Sequence, residues 1–224
     1  MIAAFMDSTN LKADASRDDI RTLCQEAAEL GMAAVCINPY RLALARECLA
    51  GSGVKLCTVI GFPLGAESAK VKVFSACEAL KQGAAEIDMV INIGAVKDGD
   101  YSLIKHEIAA ILELKQDYDF ILKVIIETAL LQNEEIIRLT ELVSSSGADF
   151  IKTSTGFSTR GVSLEDIALI KAHKSEDLKI KASGGVRSVS FALQLLAAGV
   201  ERIGSSNAAA LVKEYRQRGG LLKG

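Results

Sequence analysis

Residues Lys81–Ile91 read KQGAAEIDMVI. A helical segment running into this stretch is stopped by Gly83, and an apolar run starts within three residues. That is the sequence form of a short connection from a helix into a strand. The arrangement recurs in both directions. Upstream stand ELGMAAVCI around Gly31 and GSGVKLCTVI around Gly53; downstream stand SSGADFIKT around Gly147 and AAGVERIGSS around Gly199. Helix, glycine, strand, repeated along one chain, implies alternating elements and a parallel sheet.

Eight strands are expected, near Ala3–Asp7, Ala34–Ile37, Lys55–Ile60, Glu86–Ile91, Leu122–Glu127, Phe150–Thr153, Ile180–Ser183 and Arg202–Gly204. Between them, Arg17–Leu30, Ser68–Lys81, Ile104–Leu114, Glu134–Val143 and Phe191–Ala198 space apolar residues three and four apart, the period of an amphipathic helix. Eight such units in 224 residues fit a (β/α)8 TIM barrel forming a single domain over 1–224. A doubly wound open sheet is the competing architecture. It ordinarily carries GxGxxG after an early strand, and this chain has none.

Bulk properties narrow the functional classes. Half the residues are hydrophobic and only two are proline, which supplies a core and argues against long disordered linkers. A net charge of −2 without a basic cluster speaks against a nucleic-acid partner. The opening MIAAFMDSTNL lacks a basic n-region, so no signal peptide is expected, and no apolar run approaches the roughly 18 residues of a membrane span. Cys24, Cys36, Cys48, Cys57 and Cys77 form no CxxC pair and read as reduced thiols of a cytoplasmic protein.

Strands of a parallel barrel are buried on both faces and should be apolar throughout. Four of them instead carry charge: Asp88 in EIDMVIN, Lys123 in ILKVIIET, Lys152 in DFIKTSTG and Lys181 in KIKASGG. These are consecutive strands, and alternation puts Glu86, Asp88 and Val90 on one face and Ile121, Lys123, Ile125 and Glu127 on one face. All four charges are expected to point into the barrel mouth. A single lysine near a strand end is ordinarily a snorkelling or ion-paired residue. Three lysines and an aspartate on neighbouring strands are different, because burying unpaired charge costs several kcal/mol per group, of order 3–5.

The chemistry follows from proton affinity. A lysine amine is a nucleophile only when neutral, and its reference pKa is about 10.4. A neighbouring ammonium and burial both disfavour the charged form. A shift of roughly three units, about 4 kcal/mol, leaves a useful neutral fraction near neutral pH. With a carboxylate to move protons, this is the minimum set for enamine chemistry on a carbonyl compound.

Three loops at the same end are rich in Gly and Ser: TSTGFSTRG (Thr153–Gly161), SGGVRS (Ser183–Ser188) and IGSSN (Ile203–Asn207). Each lies between a strand and a helix, where backbone N–H groups can face an anion, and the loops after strands seven and eight are the usual phosphate site of such barrels. A phosphorylated substrate is the reading; Arg187 either adds charge there or is a solvated residue at a helix start. Pro63 and Gly65 of VIGFPLG read as turn residues and Cys36 as a packed thiol. His106 and His173 read as solvated helix positions. Without an inward His pair or carboxylate cluster, no metal site is expected.

Taken together, VIGFPLG, EIDMVINIGA, LKVIIET, ADFIKTSTGFS, IKASGGVRS and RIGSS resemble the deoxyribose-phosphate aldolase family, over nearly the whole chain. The resemblance implies a class I aldolase. Its reaction cleaves 2-deoxy-D-ribose 5-phosphate to D-glyceraldehyde 3-phosphate and acetaldehyde, without cofactor or metal, in deoxyribose catabolism. It implies that Lys152 forms the Schiff base, Lys181 lowers its proton affinity, Asp88 relays protons with a water, and Lys123 joins the same network. Phosphate would sit on Gly156, Gly184, Gly185, Ser205 and Ser206; Asp7 and Thr9 fall in the family's first-strand segment. Ser8 and Ala13 depart from the histidine and proline of many members, and the tail GGLLKG lacks a terminal tyrosine found in some. A homo-oligomer, dimer or tetramer, is implied. The rivals are a related Schiff-base aldolase or lyase for another sugar, and a silent barrel that only binds sugar phosphate.

Overall fold

A computed structural model describes residues 2–219. In chain order the elements are β1 (Met6–Asn10), α1 (Arg17–Leu30), β2 (Ala34–Ile37), α2 (Leu42–Cys48), β3 (Lys55–Ile60), α3 (Ala69–Lys81), β4 (Glu86–Val90), α4 (Ile93–Lys97) and α5 (Tyr101–Leu112). They continue as β5 (Ile121–Ile125), α6 (Asn133–Ser146), β6 (Phe150–Lys152), α7 (Leu164–His173), β7 (Lys179–Ser183), α8 (Val189–Ala197), β8 (Arg202–Ser205) and α9 (Ala208–Gln217). The strands close into a parallel barrel in sequence order, β8 pairing back onto β1.

Local chemistry sets the boundaries. Ser16 caps α1 in a reciprocal box with Asp19, and Ser163 and Asp166 do the same for α7. Gly31 and Gly147 close α1 and α6 in the left-handed conformation, with φ of 69° and 88°. Gly83 and Gly199 lie one residue past the caps of α3 and α8. Gly53 is not a helix cap: α2 ends at Cys48 with Leu49 as its cap, and Gly53 belongs to the turn that follows.

The first strand begins three residues later than the apolar run suggested. Ile2–Phe5 form a 3-10 turn in which Ile2 and Ala3 are buried, and pairing starts at Met6, opposite Ile203 of β8. A short apolar run does not by itself distinguish strand from turn; the available ladder partners do.

The two faces of the strands differ sharply. The outward row includes Ile87, Met89, Leu122, Val124, Ile151, Ile180, Ala182 and Ile203, all part of the main core between barrel and helices. Most of the hydrophobic stabilisation resides in this layer, where the strand side chains are removed from water. Ser8 shares the parity of Met6 on this outer side, and Ala13 is exposed. Inside the barrel a second, small apolar cluster holds Leu11, Ala34, Cys36, Cys57 and Val59, packed by Phe62. It occupies the β2–β3 side alone. On the other strands the inward rows also carry charge: Asp7, Glu86, Asp88, Lys123, Lys152, Lys181 and Arg202.

Candidate active site

Register explains how the charges meet. Asp88 on β4 stands opposite Lys123 on β5, Lys152 on β6 opposite Lys181 on β7, and Lys181 opposite Arg202 on β8. Asp88 lies at the hub. Its Oδ2 accepts from Lys152 Nζ and Lys181 Nζ, each at 2.7 Å, and its Oδ1 accepts from Lys123 Nζ at 2.8 Å. The four residues singled out from the sequence are therefore brought into one contact group, and none is more than 3% exposed.

The same rule, charge in a buried strand, would have found three more. Glu86 takes Lys123 Nζ at 2.6 Å and a bidentate approach from Arg202 Nη2 at 2.5 and 2.6 Å. Asp7 receives Arg202 Nε at 3.1 Å and lies 2.5 Å from Lys181 Nζ. That second contact is close but off the hydrogen-bond direction, which leaves Asp7 Oδ2 without a hydrogen-bond donor. The expectation of no carboxylate cluster is thus corrected: Asp7, Glu86 and Asp88 all face inward, recruited from β1 and β4. It failed because Asp7 closes the first expected strand and Glu86 opens the fourth, and charge at a strand end reads as surface.

These contacts set the protonation states. Burial alone would raise the Asp88 carboxyl, but Lys123, Lys152 and Lys181 hold it well below the usual carboxylate range. Burial works against the Lys123 ammonium, yet Asp88, Cys57 and Glu86 carry it well above its usual value. Lys181 is likewise disfavoured by burial and raised by Asp7 and Asp88. Both remain cations. Among the described residues, the side chains linked to one another by these ion pairs are four basic groups (Lys123, Lys152, Lys181, Arg202) and three carboxylates (Asp7, Glu86, Asp88), one more base than acid. Lys123, Lys181 and Arg202 each touch two carboxylates, whereas Lys152 touches only Asp88, through an oxygen it shares with Lys181.

Cys36, Cys57 and Asp88 bring three possible metal ligands within 4.8 Å of one another. The donor set does not fit a cation, because three ammonium groups already converge on Asp88 and Lys123 also approaches Cys57 Sγ at 3.4 Å. Cys36 is buried, 4.0 Å from Asp88 Oδ2. Burial pushes the Cys57 thiol up.

The loops after β6, β7 and β8 are stitched together at the mouth. Ser183 Oγ donates to the Ser154 carbonyl at 2.6 Å, and Ser205 Oγ donates to the Val186 carbonyl at 2.9 Å while accepting from Asn207 N–H. Gly161 and Gly184 touch backbone to backbone: a Cβ on Gly161 would lie 2.0 Å from the Gly184 carbonyl oxygen. Gly156 and Gly185 have φ of 87° and 76° with open space where a side chain would be. The N–H groups of Gly156, Gly185 and Ser206 bond to no acceptor among the described residues. Arg187 is exposed.

Two features were not anticipated. Glu127 adopts a left-handed φ of 54° and accepts from the Thr155 N–H and hydroxyl, so the end of β5 holds the turn after Lys152. Phe62, in a loop with a cis Phe62–Pro63 bond, meets Phe157 edge to face at 5.3 Å, spanning the mouth. Gly65 of that loop would place a Cβ 1.8 Å from the Ile91 carbonyl, so glycine is required there. His106 and His173 lie on the outer helices, exposed. The tail GGLLKG is outside the described residues from Gly220 onward.

Comparison with known proteins places the chain among aldolases. A family model described as DeoC/LacD family aldolase matches residues 1–206. The deoxyribose-phosphate aldolase of Exiguobacterium sibiricum is 50% identical over 212 residues, covering 94% of this chain and 95% of that one. The same-named protein of Thermococcus gammatolerans is 48% identical over 217 residues, covering 96% of each. The tetrameric deoxyribose phosphate aldolase structure from Aeropyrum pernix superposes with a TM-score of 0.89 at 31% identity, covering 97% of this chain and 92% of that one. By the match of this model over most of the chain and the identity to these relatives, the chain belongs to the DeoC/LacD aldolase family.

Proposed function

We propose that this protein is a class I aldolase that reversibly cleaves 2-deoxy-D-ribose 5-phosphate into D-glyceraldehyde 3-phosphate and acetaldehyde through a Schiff base on Lys152. The relatives at 48–50% identity carry the name of that reaction. The observation that supports Lys152 as the nucleophile is its position: the one ammonium of the cluster with a single, shared carboxylate oxygen, at the rim of the charged group.

In this mechanism neutral Lys152 adds to C1 of the open-chain sugar, and loss of water gives an iminium. Removal of the C3 hydroxyl proton breaks the C2–C3 bond. Its electron pair stays on C2 as an enamine, and D-glyceraldehyde 3-phosphate leaves. Protonation of C2 and hydrolysis then release acetaldehyde and the amine. Asp88, held ionised by its lysines, accepts and returns protons with a water, and Lys181 stays positive beside the iminium. Lys123 fixes the other Asp88 oxygen. The unbonded N–H groups of Gly156, Gly185 and Ser206 would receive the phosphate, with Gly184 and Ser205 shaping the loops. No cofactor or metal enters these steps.

The chain, 1–224, is read as one barrel domain acting in deoxyribonucleotide catabolism in the cytoplasm. Unpaired cysteines support that location, and no helix among the described residues is long and apolar enough to cross a membrane. The reading includes assembly as a homo-oligomer, dimer or tetramer; the Aeropyrum relative is described as tetrameric. The test is borohydride reduction with acetaldehyde, followed by intact and peptide mass analysis. A single ethyl adduct on Lys152 is expected. No adduct, or one elsewhere that survives Lys152→Ala, overturns the assignment; an adduct from another sugar phosphate with none from deoxyribose 5-phosphate would move the substrate.

A further inference from the structure

Arg202 does not touch the space beside Lys152, yet it crosses the barrel from β8 to reach Glu86 on β4, the strand opposite. On the way its Nε binds Asp7. Glu86 in turn contacts Lys123, and Asp7 contacts Lys181, so the two cations nearest the nucleophile are each held by a carboxylate that Arg202 also holds. A guanidinium keeps its charge under any condition the protein survives. It is a fixed positive charge beneath a group of titratable ones.

We propose that Arg202 and Glu86 are positioning residues that set the proton count of the lysine cluster, so that its one excess positive charge is released through Lys152. The charged and titratable groups of this network come from the strands around Lys152, and Glu127 at the end of β5 is a further buried carboxylate, bound to Thr155 and within electrostatic reach of Arg160. Asp7 (β1), Glu86 and Asp88 (β4) supply negative charge; Lys123 (β5), Lys181 (β7) and Arg202 (β8) supply positive charge; Cys36 (β2) and Cys57 (β3) supply thiols beside Asp88. With the four bases and three carboxylates of the ion-paired network ionised and the thiols neutral, losing one proton brings that network to neutrality. In a weakly polarisable interior that is the favoured direction, and charge at a distance is felt strongly. The proton leaves where compensation is poorest, and Lys152 is that place. Without Arg202 the cluster is already neutral when Lys152 is protonated, and deprotonation would leave a net negative interior. Without the Glu86 charge the excess is doubled.

This inference rests on Lys152 being the amine that reacts, and its test reads the two claims separately. Adduct formation with acetaldehyde is followed under cyanoborohydride across pH, with peptide mapping at each point. Arg202→Gln is expected to move the midpoint of trapping up by about one pH unit, and Glu86→Gln to move it down by a similar amount, each a roughly tenfold change in proton affinity. The double variant Glu86→Gln/Arg202→Gln restores the charge balance and should return the midpoint close to the parent, as should Arg202→Lys alone. The same shifts in a Cys36→Ser background exclude the thiol as the titrating group. A purely structural role moves neither midpoint in a signed way. Midpoints that stay put, or that move in the same direction in both single variants, overturn the proposal while leaving Lys152 as the adduct site. An adduct on another residue overturns the reading beneath it. If Arg202→Gln does not fold, Glu86→Gln carries the test through its downward shift, and no shift there is decisive against it.

Discussion

Two groups of buried lysine can be compared in this molecule. Lys72 of α3 and Glu107 of α5 form a pair outside the barrel, Nζ to Oε1 at 2.8 Å, both side chains fully buried. Lys123, Lys152 and Lys181 surround Asp88 inside it. Burial is the same in both places, so burial does not mark a catalytic lysine. Stoichiometry does. Lys72 has a carboxylate to itself, and Glu107 Oε2 also receives the Asn92 N–H just beyond β4, which makes the pair a strut between the helical layer and the end of that strand. Burial pulls the Lys72 ammonium down, and Glu107, with a smaller push from Glu67, returns only part. Lys123 and Lys181, each with two carboxylates, are raised instead. Lys152 has less than Lys72: one oxygen, shared.

The strongest way to break this comparison is Lys152→Ala. Loss of a covalent nucleophile should lower the retro-aldol rate by about 10⁴-fold or more. Because a poorly compensated charge is removed, thermal stability should hold or rise. A sizeable fall in Tm would mean that Lys152 is structural in the manner of Lys72.

Asp88→Asn should cost about 10²–10⁴-fold in rate and also destabilise the fold, since its lysines lose their common anion. The pH dependence has a definite sign. The Asp88 carboxyl lies below its unfolded value near 3.8, so its contribution is present above that pH and disappears as pH falls through the folded value. The gap in Tm between parent and variant should therefore be widest near neutrality and narrow below about pH 4.

Lys72→Met should do the reverse of Lys152→Ala. It leaves Glu107 buried and unpaired, at a cost of about 3–5 kcal/mol in denaturant unfolding, while the folded fraction still forms the Lys152 adduct. Lys72→Met/Glu107→Gln, which keeps an acceptor for Asn92 N–H, should recover most of that loss. The smallest effect calibrates the scale. Lys213 and Glu26 pair at 2.7 Å on the surface, and Lys213→Met should change unfolding free energy by no more than about 0.5 kcal/mol.

Much of this is legible in the amino-acid sequence. Glycine-terminated helices feeding short apolar runs specify a parallel sheet, and Asp88, Lys123, Lys152 and Lys181 stood out because nothing in a doubly buried strand explains a charge. Glu86 and Arg202 obey the same rule and were passed over because each opens its strand. Lys72 was not legible at all. It shares a face of α3 with Ala76, Ala79 and Leu80, where a lone lysine reads as a snorkelling residue, and the partner that lets it stay buried, Glu107, comes from α5.

The sequence by itself determined the order of elements, the barrel and the types of side chain that line it, because turn chemistry and alternation act over a few residues. Which charges touch was decided by the closed barrel. Register between strands distant in the chain places Arg202 on Glu86, and gives Lys152 and Lys181 one oxygen of Asp88 to share. Proton affinity depends on distances of a few ångströms between residues up to 195 positions apart. No local pattern carries that information, so the reactivity of Lys152 belongs to the tertiary structure.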